Sequence, residues 1–143
     1  MPCQVLLVDD NRDFRGAARL LLERHGFAVV AEAETGISGV ERALEHHPDL
    51  ALVDVQLPDI DGFEVAERLS RLEVPVYVVL TSSLDGTDFG ALIARSPALG
   101  FVPKAELSAS AIEALLSPAA ERSRVVVSAP VLRDTGRRRR RIP

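Results

Sequence analysis

Polar side chains that could do chemistry follow four short apolar runs in this chain. In chain order, 5–8 is followed by Asp9 and Asp10, 50–53 by Asp54, 76–80 by Thr81, and 99–102 by Lys104. Three carboxylates brought together repel one another unless a cation joins them or one takes up a proton. Mg²⁺ suits such a group, because it uses few protein carboxylates and completes its shell with water and phosphate oxygens. A hydroxyl donor and a compact ammonium opposite the carboxylates suit a tetrahedral dianion. The residue types therefore predict a phosphoryl site built on a carboxylate nucleophile.

The apolar runs themselves are typical of strands that are covered on both faces. They are short and rich in valine, as strands of a parallel sheet need to be. With a fifth run added, they lie at 5–8, 28–31, 50–53, 76–80 and 99–102, of which 28–31 and 99–102 are weaker.

Segments with helical spacing of apolar residues lie between and after these runs. Their apolar faces are Phe14, Ala18, Leu21 and Leu22; Ile37, Val40 and Leu44; Phe63, Ala66 and Leu69; Phe89, Leu92 and Ile93; and Ile112, Leu115 and Leu116. Gly26 supplies a stop for the first helix, Pro97 shortens the fourth, and Ser108 is expected to cap the fifth. Five strand–helix units predict an α/β fold of the (βα)5 type, with a doubly wound parallel sheet. Ligands bind such sheets beyond the carboxyl ends of the strands, where the polar residues above would meet.

Composition limits the chain to a few classes of protein. It has 143 residues, 47% of them hydrophobic and 27% charged, which suits one globular domain with a short tail. A single cysteine, Cys3, cannot form an internal disulfide, and no Cys/His metal framework is present. No apolar run approaches the roughly 18 residues of a membrane span. We therefore expect a cytoplasmic protein without a membrane span.

Charge divides the chain near Pro118. Residues 1–117 carry a net charge of −10, whereas 118–143 carry +6 and include the run Arg137–Arg141. We predict one domain over 1–117 and an arginine-rich tail over 118–143. The tail could attract nucleic-acid phosphates, an anionic membrane or the acidic domain itself, but a terminal run of like charge is more often disordered. Nothing in it resembles a helix-turn-helix, so sequence-specific DNA binding is not expected.

Four motifs in order give the chain a family resemblance. They are Val8-Asp9-Asp10-Asn11, the loop Asp54-Val55-Gln56-Leu57-Pro58-Asp59-Ile60-Asp61-Gly62, Leu80-Thr81-Ser82, and Gly100-Phe101-Val102-Pro103-Lys104. From residue 4 to about 117, the chain resembles the receiver domain of bacterial two-component response regulators, the CheY-like family. The D-x-x-x-P-x-x-D-G spacing of the loop is the most specific part. This resemblance implies the flavodoxin-like strand order 2-1-3-4-5.

The resemblance also implies a role for each acidic residue. Asp54 would accept a phosphoryl group from a phosphohistidine on a sensor histidine kinase. Asp10 and Asp54 would ligate Mg²⁺ directly, together with the backbone carbonyl of Gln56, while Asp9 would act largely through bound water. The implied function is a stand-alone receiver whose phosphorylation is Mg²⁺-dependent and which turns over no metabolite.

The remaining implied roles belong to a conformational switch. Thr81 and Lys104 would hold the phosphoryl oxygens, and Phe101 would turn inward as the Thr81 hydroxyl moves toward the new phosphate. This motion would repack the face formed by helix 4, strand 5 and helix 5, where a downstream protein or a second copy of the chain would bind. A bias of a few kcal/mol is enough for such a two-state element.

Other interpretations of the same residues stay open at this point. Asp9 and Asp10 could cap the first helix, Thr81 could be an ordinary strand residue, and Phe101 a core aromatic. The alternative function is a receiver-like interaction module that works without phosphorylation, through dimerisation or the basic tail. An aspartate-nucleophile phosphatase ranks lower, because the short connections leave no room for a substrate-covering insertion.

Overall fold

The structure is a computed structural model that describes residues 2–84 and 89–126, with side-chain positions described as far as residue 117. The strands are β1 (Gln4–Val8), β2 (Ala28–Ala33), β3 (Leu50–Asp54), β4 (Tyr77–Ser82) and β5 (Gly100–Pro103). The helices are α1 (Arg12–Arg24), α2 (Gly36–His46), α3 (Gly62–Ser70), α4 (Gly90–Arg95) and α5 (Ala109–Val126), and a 3₁₀ turn covers Lys104–Glu106.

The five strands form one parallel sheet in the order β2-β1-β3-β4-β5. Strand order reverses beside β1, since β2 and β3 lie on its two sides. The fold class and the strand order expected from the sequence are both confirmed, and each predicted strand overlaps an observed one. The carboxyl ends of β1 and β3 therefore lie side by side at the switch point, where open α/β sheets bind ligands.

Side chains alternate between two apolar layers, one on each face of the sheet. Leu6 and Val8 of β1 pack on the same face as α2 and α3. Val5 and Leu7 pack on the opposite face, together with buried residues of α1 and α5. Because both faces are covered, the central strands carry almost unbroken apolar sequence, and β3 is buried along its whole length.

Helix boundaries follow from local hydrogen bonds. Asn11 caps α1, since its side chain accepts the Phe14 N–H at 3.0 Å. Gly26, which follows the end of α1, has a φ of +89°, a left-handed conformation that glycine adopts without a steric penalty. The Ser108 side chain accepts the Ala111 N–H at 3.0 Å, so the predicted cap of α5 is present.

The edge of the sheet beyond β4 is less completely packed. Helix α4 has only six residues and none of them is buried, although its apolar spacing predicted a core face. Phe89, which precedes α4, supplies the apolar contact with the core instead. The predicted shortening of this helix before Pro97 is seen, because α4 ends at Arg95.

The domain boundary that charge predicted near Pro118 lies within α5, which continues to Val126. The sequence predicts that the tail is disordered over 118–143. Its first part, 118–126, lies in α5, and the rest, including Arg137–Arg141, lies outside the described residues. Within the described ranges, no helix combines the length and the apolarity that crossing a membrane requires.

Candidate functional site

Four segments bring polar side chains to the carboxyl edge of the sheet. Asp9 follows β1, Asp54 ends β3, and Thr81 lies directly beside Asp54 in the register of β3 with β4. Lys104 follows β5 as the first residue of the 3₁₀ turn. The structure therefore brings together groups that are up to 95 positions apart in the sequence.

The acidic part of the site consists of Asp9, Asp10 and Asp54. Each offers one carboxylate oxygen, and these oxygens lie within 4.8 Å of one another. Asp9 and Asp54 are buried, whereas Asp10 is exposed. Helix capping does not account for the pair that follows β1, because Asn11 fills that place.

Backbone amides fix one oxygen of each buried carboxylate. Asp9 Oδ1 accepts the Asn11 N–H at 2.8 Å, and Asp54 Oδ1 accepts the Gln56 N–H at 3.1 Å. The second oxygens of both residues face Lys104. Each carboxylate is therefore oriented by its own loop and still has one oxygen directed at the site.

Lys104 bridges the two buried carboxylates. Its Nζ lies 2.8 Å from Asp9 Oδ2 and 3.3 Å from Asp54 Oδ2, with a hydrogen bond to the latter. The ammonium also lies 4.4 Å from the centroid of the Phe14 ring, within the range of a cation–π contact. Two charges and one aromatic face thus hold the lysine at the centre of the site.

The electrostatics of the site favour a further cation. Burial raises the pKa of Asp54, and the charge of Asp9 adds to this effect, against the opposing hydrogen bonds from Gln56 and Lys104. Burial would lower the pKa of Lys104, but its close ion pair with Asp9 and the charge of Asp54 outweigh this and raise it. Lys104 therefore stays charged. Because the pKa of Asp54 stays raised beside Lys104, that ammonium does not fully compensate the acidic group, and a further cation would be favourable.

Thr81 presents a buried hydroxyl at the same edge. The residue is 1% exposed, and its Oγ1 has no hydrogen-bond partner among the described residues. A buried hydroxyl without a partner costs free energy, so the site as a whole is suited to an additional oxygen-bearing group. Three carboxylate oxygens and this hydroxyl fit the donor set of Mg²⁺ with a phosphoryl group.

The described contacts of Gln56 and Phe101 do not bear directly on their predicted roles. Gln56 lies in the loop after β3, and the described contact of its backbone is the N–H bond to Asp54. Phe101 lies in β5, half-buried, with its ring centroid 6.2 Å from that of Phe89. Metal ligation by the Gln56 carbonyl and switching by Phe101 stay predictions.

The sequence placed Asp59 and Gly62 in the loop after β3 but did not indicate which contacts they make there. Asp59 accepts the N–H groups of Gly36 and Ile37, at 2.7 and 2.9 Å, and so ties this loop to the start of α2. At Gly62 a Cβ atom would lie 2.8 Å from Val55 Cα and closer still to the carbonyl oxygen preceding it. The carboxylate of Asp59 could have suggested a helix cap, but nothing in the sequence indicated which helix it caps.

The fold and the site together define a doubly wound α/β domain with an acidic, lysine-bridged site at its switch point. The family model of the response regulator receiver domain matches residues 5–116. The chain belongs to this family, whose members act in two-component signal transduction and are not metabolic enzymes.

Several curated relatives and solved structures are similar to this chain. The chemotaxis protein CheY of Halobacterium salinarum is 30% identical over 115 residues, covering 80% of this chain and 95% of the relative. BvgA of Bordetella pertussis, named as a transcription regulator of virulence factors, is 38% identical over 103 residues, covering 72% of this chain but 49% of BvgA. Thus the chain spans about half the length of the first curated relatives that it matches. The receiver domain of NarL from Mycobacterium tuberculosis has a TM-score of 0.71 at 29% identity, covering 81% of this chain and 98% of that one.

Proposed function

We propose that the chain is a receiver that accepts a phosphoryl group on Asp54, in a Mg²⁺-dependent reaction, from a phosphohistidine of a sensor kinase. The observation that carries the proposal is the Lys104 ammonium held between Asp9 and Asp54, at 2.8 and 3.3 Å, at the same sheet edge as the Thr81 hydroxyl, which has no hydrogen-bond partner among the described residues. Asp54 would act as the nucleophile, Lys104 as the fixed cation and Thr81 as the hydroxyl donor.

Transfer would form a bond between an Asp54 carboxylate oxygen and phosphorus, while the bond between phosphorus and the donor imidazole nitrogen breaks. The electron pair of the broken bond stays on that nitrogen, which takes up a proton. A loose in-line transition state of this kind is stabilised mainly by positioning and fixed charges. The Gln56 N–H, which orients one carboxylate oxygen of Asp54, supports this role.

The remaining residues hold the transferred group. Lys104 would offset the charge of the phosphoryl oxygens, since its pKa is raised and it stays an ammonium. Thr81 would donate its buried hydroxyl to one of them. Asp9, Asp10 and Asp54 would hold Mg²⁺, with the Gln56 carbonyl as a further ligand, and the ion would neutralise charge shared between the carboxylates and the phosphoryl group.

The output would pass through the surface of α4, β5 and α5. No residue of α4 is buried, Leu92 is 49% exposed, and three of the four β5 residues are half-buried. Because Phe101 lies in β5 next to Leu80 of β4, movement of Thr81 would reach it through the neighbouring strand. A downstream protein is the proposed partner of this surface, and a second copy of the chain is the alternative.

Intact mass spectrometry tests the proposal directly. The protein is incubated with Mg²⁺ and acetyl phosphate, and a single phosphate adduct is expected for the wild type. The adduct should disappear in Asp54→Asn and with excess chelator, whereas Asp13→Asn, an exposed aspartate on α1, should leave it unchanged. An equal adduct on Asp54→Asn, or no adduct on the wild type, would exclude Asp54 as the acceptor.

Partner binding distinguishes the phosphorylation-independent alternative. A partner captured on the phosphorylated wild type should bind Asp54→Asn more weakly under the same conditions. Equal binding by both proteins would favour an interaction module that does not use the acidic site. Light scattering of the phosphorylated protein then tells a second copy from a different protein.

A further inference from the structure

One charged side chain of α1 is buried beneath the acidic edge. Arg15 is 8% exposed, although arginine is among the residues least often buried. Its Nη1 donates to the backbone carbonyl oxygen of Asp9 at 2.5 Å, and its Nε donates to Glu32 Oε1 at 2.8 Å. The guanidinium therefore connects the first residue of the acidic site to strand β2.

Glu32 is itself held from a second side. Arg19 Nε donates to Glu32 Oε2 at 2.9 Å, and Arg19 Nη2 lies 2.8 Å from the same oxygen. Burial opposes ionisation of Glu32, but the hydrogen bonds from Arg15 and Arg19 outweigh it and lower its pKa. The carboxylate thus stays charged and anchors Arg15 whether or not anything occupies the acidic site.

The polar groups of Asp9 are nearly all fixed by neighbours. Its N–H donates to the Ala33 carbonyl at 3.0 Å, its own carbonyl accepts from Arg15, and Oδ1 accepts from Asn11. Oδ2 is the remaining oxygen, and it faces Lys104 at 2.8 Å. Two of these contacts come from side chains, Lys104 on the carboxylate and Arg15 on the backbone carbonyl, so Arg15 is the side chain that fixes the backbone of Asp9.

We infer that Arg15 is a positioning residue, which fixes the backbone of Asp9 and thereby the direction in which its carboxylate points. Arg15 contacts neither Asp54 nor Lys104 among the described hydrogen bonds and ion pairs, so it acts through Asp9. An arginine suits this task because its planar fork donates along two directions at once, which a lysine ammonium on a flexible stem does not reproduce. The consequence for Mg²⁺ affinity rests on the proposed function of the site.

Two measurements on the same variants test this role. In metal-free protein, hydrogen exchange of the Asn11 amide, followed by NMR, reports whether the Asp9 carboxylate is still held. Titration with Mg²⁺, followed by calorimetry, reports the Kd. In Arg15→Gln we expect faster exchange at Asn11 and a Kd weaker by about tenfold, the usual effect of removing a group that orients a metal ligand.

The chain provides a matched control and a second variant. Arg19→Gln removes the other arginine on Glu32 but leaves the contact with Asp9, so both measurements should stay close to wild type. Arg15→Lys keeps the positive charge and should resemble Arg15→Gln in both measurements. If the glutamine variant folds poorly, the lysine variant still provides the test.

Three outcomes would overturn the inference: unchanged Asn11 exchange in both Arg15 variants, an Arg15→Lys protein that matches wild type, or an Arg19→Gln protein as impaired as Arg15→Gln. Failure of the proposed function would look different. A wild type that binds no Mg²⁺ removes that function, while the exchange of the Asn11 amide in metal-free protein still decides the role of Arg15.

Discussion

Replacing Asp54 by asparagine should stabilise the fold when no metal is present. Carboxylate oxygens of Asp9 and Asp10 lie no more than 4.8 Å from one of Asp54, so each repulsion is at least about 3.5 kcal/mol at an effective dielectric constant of roughly 20. The attraction between Asp54 and Lys104 at 3.3 Å offsets about 5 kcal/mol at the same dielectric constant, which leaves a net repulsion of about 2 kcal/mol. Because Asp10 is exposed, solvent weakens its share, and we expect the ionised Asp54 to destabilise the fold by about 1 kcal/mol.

Thermal unfolding at pH 7 with a chelator measures this effect. A gain of about 1 kcal/mol corresponds to a Tm higher by about 4 °C for a domain of this size. Asp13→Asn is the matched control, since exposed substitutions of this kind usually change stability by less than about 0.5 kcal/mol. Mg²⁺ should raise the Tm of the wild type more than that of Asp54→Asn, because the variant lacks one of the proposed ligands.

The pH dependence gives a second check on the same reasoning. The pKa of Asp54 in the folded protein is raised above 3.8, so the folded state keeps the proton over a range where the unfolded state has lost it. The wild type therefore loses stability as the pH rises through that range, whereas Asp54→Asn does not. The difference in Tm should be small near pH 4 and largest at pH 7. A variant less stable than wild type at pH 7, or a difference independent of pH, would refute this account.

Three further substitutions probe residues in and around the site. Thr81→Val should raise the free energy of unfolding by about 1 kcal/mol, because a buried hydroxyl without a partner is removed. It should also slow phosphorylation by acetyl phosphate, and a loss of stability would show that the hydroxyl has a partner. Asp59→Ala should lower the free energy of unfolding in urea by about 1 kcal/mol, because two helix-capping hydrogen bonds are lost. An unchanged free energy of unfolding would mean that these two hydrogen bonds contribute little. Gly62→Ala should cost about 1–3 kcal/mol because its Cβ meets backbone, and should misplace Asp54. Gly16→Ala, which meets nothing within 4 Å, is the control and should be neutral or stabilising.

Much of the fold could be predicted from the sequence because parallel strands carry a strong local signal. The runs at 5–8 and 50–53 are apolar on both faces, and the structure shows why, since both strands lie in the centre of the sheet. Once the strands are parallel, the residues that follow them must meet at one edge. The proximity of Asp9, Asp54 and Lys104 thus follows from the order of elements rather than from any contact visible in the sequence.

What the sequence did not indicate depends on contacts between distant elements. Arg15 follows Phe14 on a helix with an apolar face, and a charged residue in such a pattern suggests solvent exposure, yet it is buried against Asp9 and Glu32. The helical spacing of apolar residues predicts that Phe14 faces the core, but its ring also lies beside Lys104. The apolar spacing of α4 predicted a buried face, but none of its six residues is buried, and Phe89, just before the helix, makes the contact with the core.

The close contact of α2 with the sheet has a consequence for tolerance to mutation. Gly39 lies against Val8, and a Cβ at this position would come within 2.9 Å of the valine methyl groups. Val8 directly precedes Asp9, so any side chain larger than hydrogen at position 39 would press on the strand that carries the acidic pair. Gly39 lies on the side of α2 that faces the sheet, and we therefore expect it to tolerate substitution poorly although it belongs to a different element from the acidic residues.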